Sequence, residues 1–278
     1  MEQGLVETKS KYQWAIQSFT LMDDTFMRII FKDYQCLQLL LDIIFQKHLH
    51  IISWHTQYDL KNLYGRSLIA DIVIEVEGRK FINIEVQRSR DGAHPKRLEL
   101  HKSLMMANTT YPQDKWADIP DISIVFICED DILNEGKPIY YMHTTYDENG
   151  KFVDNGVESI YVNGKIRDET PLGRLMHDFF CTRAEDMYYA VLRERVNYFK
   201  NEEGAETMCA IMDAIKEEGI RKGKMEGIEE GRIEGERIAI MKMIRNLSFE
   251  EGIPFIEAMM KLHIPLNEQE SYMKLLVS

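Results

Sequence analysis

The stretch ADIVIEVEGRKFINIEVQ, residues 70–87, alternates apolar and polar side chains on either side of a turn containing Gly78. Its even positions Ile72, Ile74, Val76, Ile82, Ile84 and Val86 are all apolar, while its odd positions include Asp71, Glu75, Asn83, Glu85 and Gln87. Successive side chains of a strand point to opposite faces, so this period of two predicts a β-hairpin with one apolar and one polar face. To bury the even set on one side, paired positions must sum to an even number. A three-residue loop, Glu77-Gly78-Arg79, pairs Val76 with Lys80 and sets Asp71 opposite Glu85. A slip of one residue would divide the polar set between the two faces.

Directly opposed residues have Cβ atoms about 5 Å apart. Two carboxylates that close repel, which raises the pKa of one of them unless a cation lies between. A hard divalent ion relieves the repulsion, and Mg²⁺ accepts a few carboxylate oxygens while keeping several waters. Asp71, Glu85 and Gln87 therefore predict half of a Mg²⁺ site, with Gln87 orienting a metal-bound water. The same row also fits the solvated face of an amphipathic hairpin. The residues just after Gln87 bear on the choice: Arg88, Arg90, His94, Lys96, Arg97, His101 and Lys102 are opposed only by Asp91 and Glu99. An acidic metal site beside a basic helix suits phosphodiester cleavage, because the metal activates water while cations hold the backbone. On this reading Arg88, Arg90, Lys96, Arg97 and Lys102 are the expected DNA contacts.

Outward from the hairpin, residues 23–46 carry apolar side chains at spacings of three and four, with Asp23 or Asp24 as cap, and predict one broken helix or two. Residues 47–69 read as a polar stretch. Pro95 opens a Met-rich helix over residues 95–108. ISIVFI, residues 122–127, reads as a buried strand, with further strands over 138–146 and 159–162. The order helix, hairpin, helix, strand predicts an α/β or α+β core with a central mixed sheet flanked by helices. From Pro171 onward the chain reads as helical.

The expected division is a core over residues 1–200, a Gly- and Glu-rich helical linker over 201–246 and a helical hairpin over 247–278, turning at residues 263–267. Residues 201–236 hold 11 acidic and 5 basic side chains. Gly219, Gly223, Gly227, Gly231 and Gly235 recur every four residues. Each costs a helix about 1 kcal/mol relative to Ala. Ile215, Ile220, Met225, Ile228 and Ile233 form no 3.6-period stripe, so a frayed, solvated linker is expected, with Gly-mediated helix pairing in a homo-oligomer as the alternative.

The chain of 278 residues has a net charge of −12, which argues against nucleic acid as a partner. Half of that charge, however, falls in residues 201–236, while residues 88–102 carry a local +3. Weak, salt-sensitive DNA binding is the resulting expectation. Cys36, Cys128, Cys181 and Cys209 are scattered and read as buried thiols in a reducing compartment. Residues 1–12 show no apolar leader, and no run is long enough to span a membrane, so a cytoplasmic location is expected. His48, His50 and His55 have no Cys or carboxylate at a matching ligand spacing, and His177 reads as a packed histidine.

At the hairpin the chain resembles the PD-(D/E)XK nuclease superfamily, and more narrowly the Rpn-type recombination-promoting nucleases, often labelled transposases. DDTFMRIIFKD (residues 23–33) is similar to that family's first helix, and the hairpin to its D…E-x-Q active-site motif. VFICEDDIL, KFVDNGVESIYVNGK and LGRLMHDFFCTRAEDMYYAVLRERVNYFKNEEGAETMC resemble its downstream blocks. The resemblance covers residues 23–235. It implies a restriction-endonuclease-like core and a Mg²⁺- or Mn²⁺-dependent DNA endonuclease acting in recombination or a mobile element. It further implies that Asp71, Glu85 and the Val86 carbonyl ligate the metal, with Asp24 supporting it through water. Gln87 stands where the wider superfamily has Lys, Ala70 where it has Pro, and His101 where the narrower family usually has Tyr. A neutral Gln positions water but does not stabilise negative charge as Lys does. A catalytically weak interaction module acting through its helical tail is the competing expectation.

Overall fold

The computed structural model describes residues 15–62, 65–146 and 148–277; residues 1–12, where no apolar leader is expected, lie outside them. The chain forms two compact units, Met1–Ala210 and Ile211–Ser278. In the first, the helical pattern of residues 23–46 resolves into two helices, α1 (Asp24–Ile30) and α2 (Tyr34–Phe45). The break has a local cause: the Asp33 carboxylate accepts from the amides of Gln35 and Cys36, at 3.0 and 3.1 Å, and so caps α2. Asp23 occupies the N-cap position of α1 but makes no side-chain capping bond. Its carboxylate instead accepts from the Thr20 amide and from Arg88.

The hairpin forms in the expected register. Strand β2 (Leu68–Val76) pairs antiparallel with β3 (Lys80–Gln87) through Ile72 with Ile84, Ile74 with Ile82 and Val76 with Lys80. Gly78 and Arg79 both adopt positive φ, +87° and +56°. Nothing lies within 4 Å of a Cβ built on Gly78, so glycine serves there for its backbone conformation. A strand the sequence pattern did not signal, β1 (Ile51–Leu60), pairs antiparallel with β2. It forms the sheet's edge, and its alternation is broken by a register shift between Ile51 and Ser53, by the exposed Ile52 and by polar Ser53 and Thr56 at half-buried positions.

Helix α3 (Pro95–Thr109) crosses from β3 to the parallel strand β4 (Asp121–Cys128). The segment expected as one strand over 138–146 is two: β5 (Ile139–Met142), and β6 (Thr144–Thr145), which pairs only with β7 (Phe152–Val153). Strand β8 (Val157–Asn163) lies parallel to β4 and antiparallel to β5, closing a six-stranded mixed sheet in the order β1-β2-β3-β4-β8-β5. Helices α4 (Pro171–Phe180), α5 (Ala190–Lys200) and the start of α6 (Glu202–Glu251) follow. The fold is thus mixed α/β with a helical C-terminal region.

The two faces of the sheet differ. The even hairpin residues Ile72, Ile74, Val76, Ile82, Ile84 and Val86 are all buried. Each such side chain contributes about 1.5–3 kcal/mol, and Lys80 on this face lies over the Phe45 ring of α2. The opposite face carries Val73, Ile124, Phe126, Cys128 and Tyr161 under Leu98, Leu104 and Met105 of α3. That face also receives the odd polar residues of the hairpin.

Helix α6 departs from the frayed linker expected for this region. It is continuous over Glu202–Glu251, and the boundaries expected at residues 200 and 246 fall just before it and inside it. Ile220, Met225, Ile228 and Ile233 are exposed on it; the Ile215 side chain lies outside the described residues. The C-terminal hairpin, α7 (Phe255–Lys261) and α8 (Leu266–Val277), packs on the end of α6 around Ile244, Ala258, Met259, Tyr272 and Leu276. This packing supports the C-terminal part of α6, while its glycine segment is exposed.

A Cβ added at Gly219, Gly223, Gly227, Gly231 or Gly235 meets nothing within 4 Å. Gly223→Ala and Gly227→Ala should therefore each raise the stability of α6 by about 1 kcal/mol, read by urea unfolding followed by circular dichroism. A loss of stability, with a drop in sedimenting mass, would mean that these glycines face a second copy of the helix.

Candidate active site

The site lies at the end of the hairpin away from its turn, where β2 begins and the parallel strands β3 and β4 end. In open sheets containing parallel strands this carboxyl-end rim is the usual place for ligands. Asp71 and Glu85 occupy the position next to the Ile72–Ile84 pair, and their side chains replace the ladder there. Glu85 Oε1 accepts from the Asp71 amide at 2.9 Å, and Asp71 Oδ2 accepts from the Val86 amide at 3.3 Å. Each carboxylate thus holds the other's strand. Asp71 is 6 % exposed, Glu85 1 % and Gln87 6 %. The solvated-face reading is overturned, because α3 covers this side of the hairpin.

The second oxygen of each carboxylate faces a guanidinium. Arg28 of α1 lies 3.7 Å from Asp71 Oδ1 and 4.0 Å from Asp24, bridging the two acids. Asp24 itself is largely exposed. Arg97, in the first turn of α3, lies 3.7 Å from Glu85 Oε2. Its Nη1 donates to Gln87 Oε1 at 3.1 Å and to the Gly92 carbonyl at 3.2 Å. The Gln87 carbonyl oxygen is therefore engaged, and its amide nitrogen remains a donor. A Cβ at Gly92 would overlap Gln87 Oε1, so a side chain there would push the end of Gln87 aside.

Below the pair, His101 is fully buried. Its Nδ1 lies 2.8 Å from Asn83 Nδ2 and 3.7 Å from Glu85 Oε1, and its ring meets Phe126 edge-on. His101 Nε2 and Asn83 Oδ1 are buried without a hydrogen-bond partner among the described residues. Burial, with the Arg97 charge, lowers the His101 pKa to about 4. The ring is neutral and adds no cation to the site. Burial and then the Asp24 charge raise the Asp71 pKa; burial and then the Asp71 charge raise that of Glu85. Desolvation thus outweighs the two guanidinium groups, and the pair is short of positive charge.

The expected DNA contacts do not form one basic surface. Arg88 pairs with Asp23 at 2.7 Å and with Glu129 at 3.4 Å. Arg90 lies 3.7 Å from Asp130 and donates to the Asp131 carbonyl and to Asn134. Lys102 pairs with Glu99 at 2.7 Å. Arg97 faces the carboxylates, and Lys96 has no carboxylate partner among the described residues. Acids distant in sequence neutralise Arg88 and Arg90, which no local charge count reveals. Sequence reasoning also missed Arg28, although its place one helical turn after Asp24 aligns the two on one face.

A second polar group, His177, Asp178 and Cys181, brings three possible metal ligands within 4.8 Å of one another. Its bonds read as a cap. The two Asp178 oxygens accept from the amides of Tyr188 and Tyr189 at 2.7 and 2.9 Å, with His177 Nδ1 at 3.3 Å. Among the described residues no helix is long and apolar enough to cross a membrane. No family model, curated protein or solved structure matches the chain.

Because the folded pKa values of Asp71 and Glu85 lie above their unfolded values, the pair stabilises the fold most when protonated. Without divalent ions, stability should therefore fall as pH rises from about 4 towards about 8. Asp71→Asn combined with Glu85→Gln should flatten that slope in chemical unfolding measured across the same range. An unchanged slope would place the titration elsewhere.

Proposed function

We propose that the protein is a Mg²⁺-dependent endonuclease of the PD-(D/E)XK, Rpn-like type, cleaving DNA phosphodiesters by metal-activated water. The observation that carries this reading is the buried Asp71–Glu85 pair, with one oxygen of each acid tied to backbone and the other left facing a cation. The resemblance over residues 23–235 supports it. Mg²⁺, or Mn²⁺, suits this donor set, because two desolvated carboxylates short of positive charge favour a hard divalent cation. Asp71, Glu85 and the Val86 carbonyl would hold it, and when bound it supplies an activated water and neutralises charge on the phosphate.

The chain's own residues divide the remaining work. The Gln87 amide nitrogen, its carbonyl fixed by Arg97, donates to the attacking water and orients it. Arg97 brings beside Gln87 the positive charge that a Lys would carry, and so answers the weakness of a neutral Gln at that position. Arg28 holds Asp71 towards the site and limits its repulsion with Asp24. Neutral His101 and Asn83 form an uncharged floor. DNA is the proposed partner, and recombination or a mobile element the proposed setting.

A second reading, a nuclease-fold protein without turnover that works as an interaction module through its C-terminal helices, is favoured by one observation. Arg28 and Arg97 already supply two positive charges to the carboxylates without a metal.

Supercoiled plasmid incubated with purified protein separates the two. Mg²⁺-dependent nicking is expected, lost by about a thousandfold or more in Asp71→Asn and in Glu85→Gln, since metal activation is worth several kcal/mol. Circular dichroism should be unchanged. Nicking of equal rate in wild type and variants would reject the assignment, and so would its absence throughout. Gly92→Ala should lower the nicking rate about tenfold by displacing Gln87, with little effect on the unfolding midpoint.

A further inference from the structure

Around the carboxylate pair, most cations are committed to acids, but Arg66 and Lys96 are not. Neither has a carboxylate partner among the described residues, and both line one cavity of about 460 Å³. Arg66 comes from the loop between β1 and β2, and Lys96 from the first turn of α3, so distant segments bring the two together. The cavity lies within the roughly 300–1,000 Å³ typical of small-ligand sites. Leu68 and Leu100 give it apolar walls, and Asp91 is the one acid among the described residues that line it. Arg97 lines it too, with Nη1 on Gln87 and Nη2 towards Glu85. A single guanidinium therefore separates the cavity from the carboxylates.

We infer that this cavity holds a backbone phosphate of the nucleic-acid strand, next to the phosphate presented to Asp71 and Glu85; the inference rests on the nuclease reading and deepens it. The chemistry matches. A phosphodiester carries one negative charge on two non-bridging oxygens that accept from a guanidinium fork and an ammonium, while the leucines suit the apolar side of a sugar. With Arg88, Arg90 and Lys102 held by acids, the cavity is where an exposed, unneutralised pair of cations meets the site, Lys96 from the row of residues 88–102 and Arg66 from outside it. This arrangement also reconciles strand binding with a net charge of −12, since the affinity needs only a few local phosphate contacts.

Both side chains are exposed, so their removal should leave the fold intact. The test uses the full-length Glu85→Gln protein, to prevent cleavage, in EDTA at low salt. Fluorescence anisotropy follows a labelled oligothymidylate that lacks terminal phosphates. Arg66→Ala and Lys96→Ala should each weaken binding about tenfold and lower the slope of log Kd against log salt by about one. Lys151→Ala, a charge removed from the β6–β7 hairpin, should change neither. Unaltered affinity and slope in both cavity variants would overturn the inference, as would an absence of strand binding. A loss confined to thymidine monophosphate, with oligothymidylate binding intact, would overturn it in favour of a free-nucleotide site. If wild type fails to nick plasmid while strand binding still depends on Arg66 and Lys96, the catalytic reading falls and the subsite stands. If wild type nicks plasmid and strand binding is indifferent to both residues, the subsite falls and the catalytic reading stands.

Discussion

The register of β2 on β3 is the constraint on which the site depends. Both strands carry their apolar residues at even positions, so only pairings with an even sum bury Ile72, Ile74, Ile82 and Ile84 together. A slip of one residue would carry the polar set of one strand into the apolar face and its apolar set to the face that α3 covers. That same parity sends Asp71, Glu85 and Gln87 to the opposite face and sets the two acids side by side. The apolar face therefore aligns the acids: they meet in spite of their repulsion because core packing outweighs it.

Burying two carboxylates costs several kcal/mol unless they are compensated. Here each accepts a backbone amide from the other's strand, and Arg28 and Arg97 stand 3.7 Å away. The compensation is incomplete, since burial still pushes both acids towards their protonated forms. The result is a rigid, preorganised acid pair with an unmet demand for positive charge. Helix α3 has two parts in this. It excludes water with Leu98, Leu104 and Met105, and it delivers Arg97, which connects Glu85, Gln87 and Gly92.

The distribution of charge obeys a similar logic. Acids at Asp23, Glu129 and Asp130 are drawn to Arg88 and Arg90 across the fold. They convert what reads as a basic ribbon into a set of ion pairs, each worth little on an exposed surface but enough to reduce the local field. What remains unneutralised is set by folded geometry, so Arg66, isolated in a loop with no periodic pattern around it, could not be picked out beforehand.

Much of the core was legible because strand alternation and helix periodicity are local. The hairpin, its loop, the α3 segment that Pro95 opens and the buried β4 run are all readable from side-chain spacing within about twenty residues. The parity argument went further, placing Asp71 opposite Glu85 from one hairpin's pattern alone. Strand β1 escaped because a register shift after Ile51 and polar Ser53 and Thr56 at its half-buried positions break the period of two. The continuity of α6 escaped because glycine propensity argues locally against a helix, and the packing of its C-terminal part around Ile244 and Met259 comes from residues farther along the chain. The chain by itself thus determined which side chains share a face, since that depends only on the backbone's period of two. Only the tertiary structure decided which face is dry, which cations are free and what charge the acids feel, because burial and ion pairing depend on segments that sequence distance does not relate.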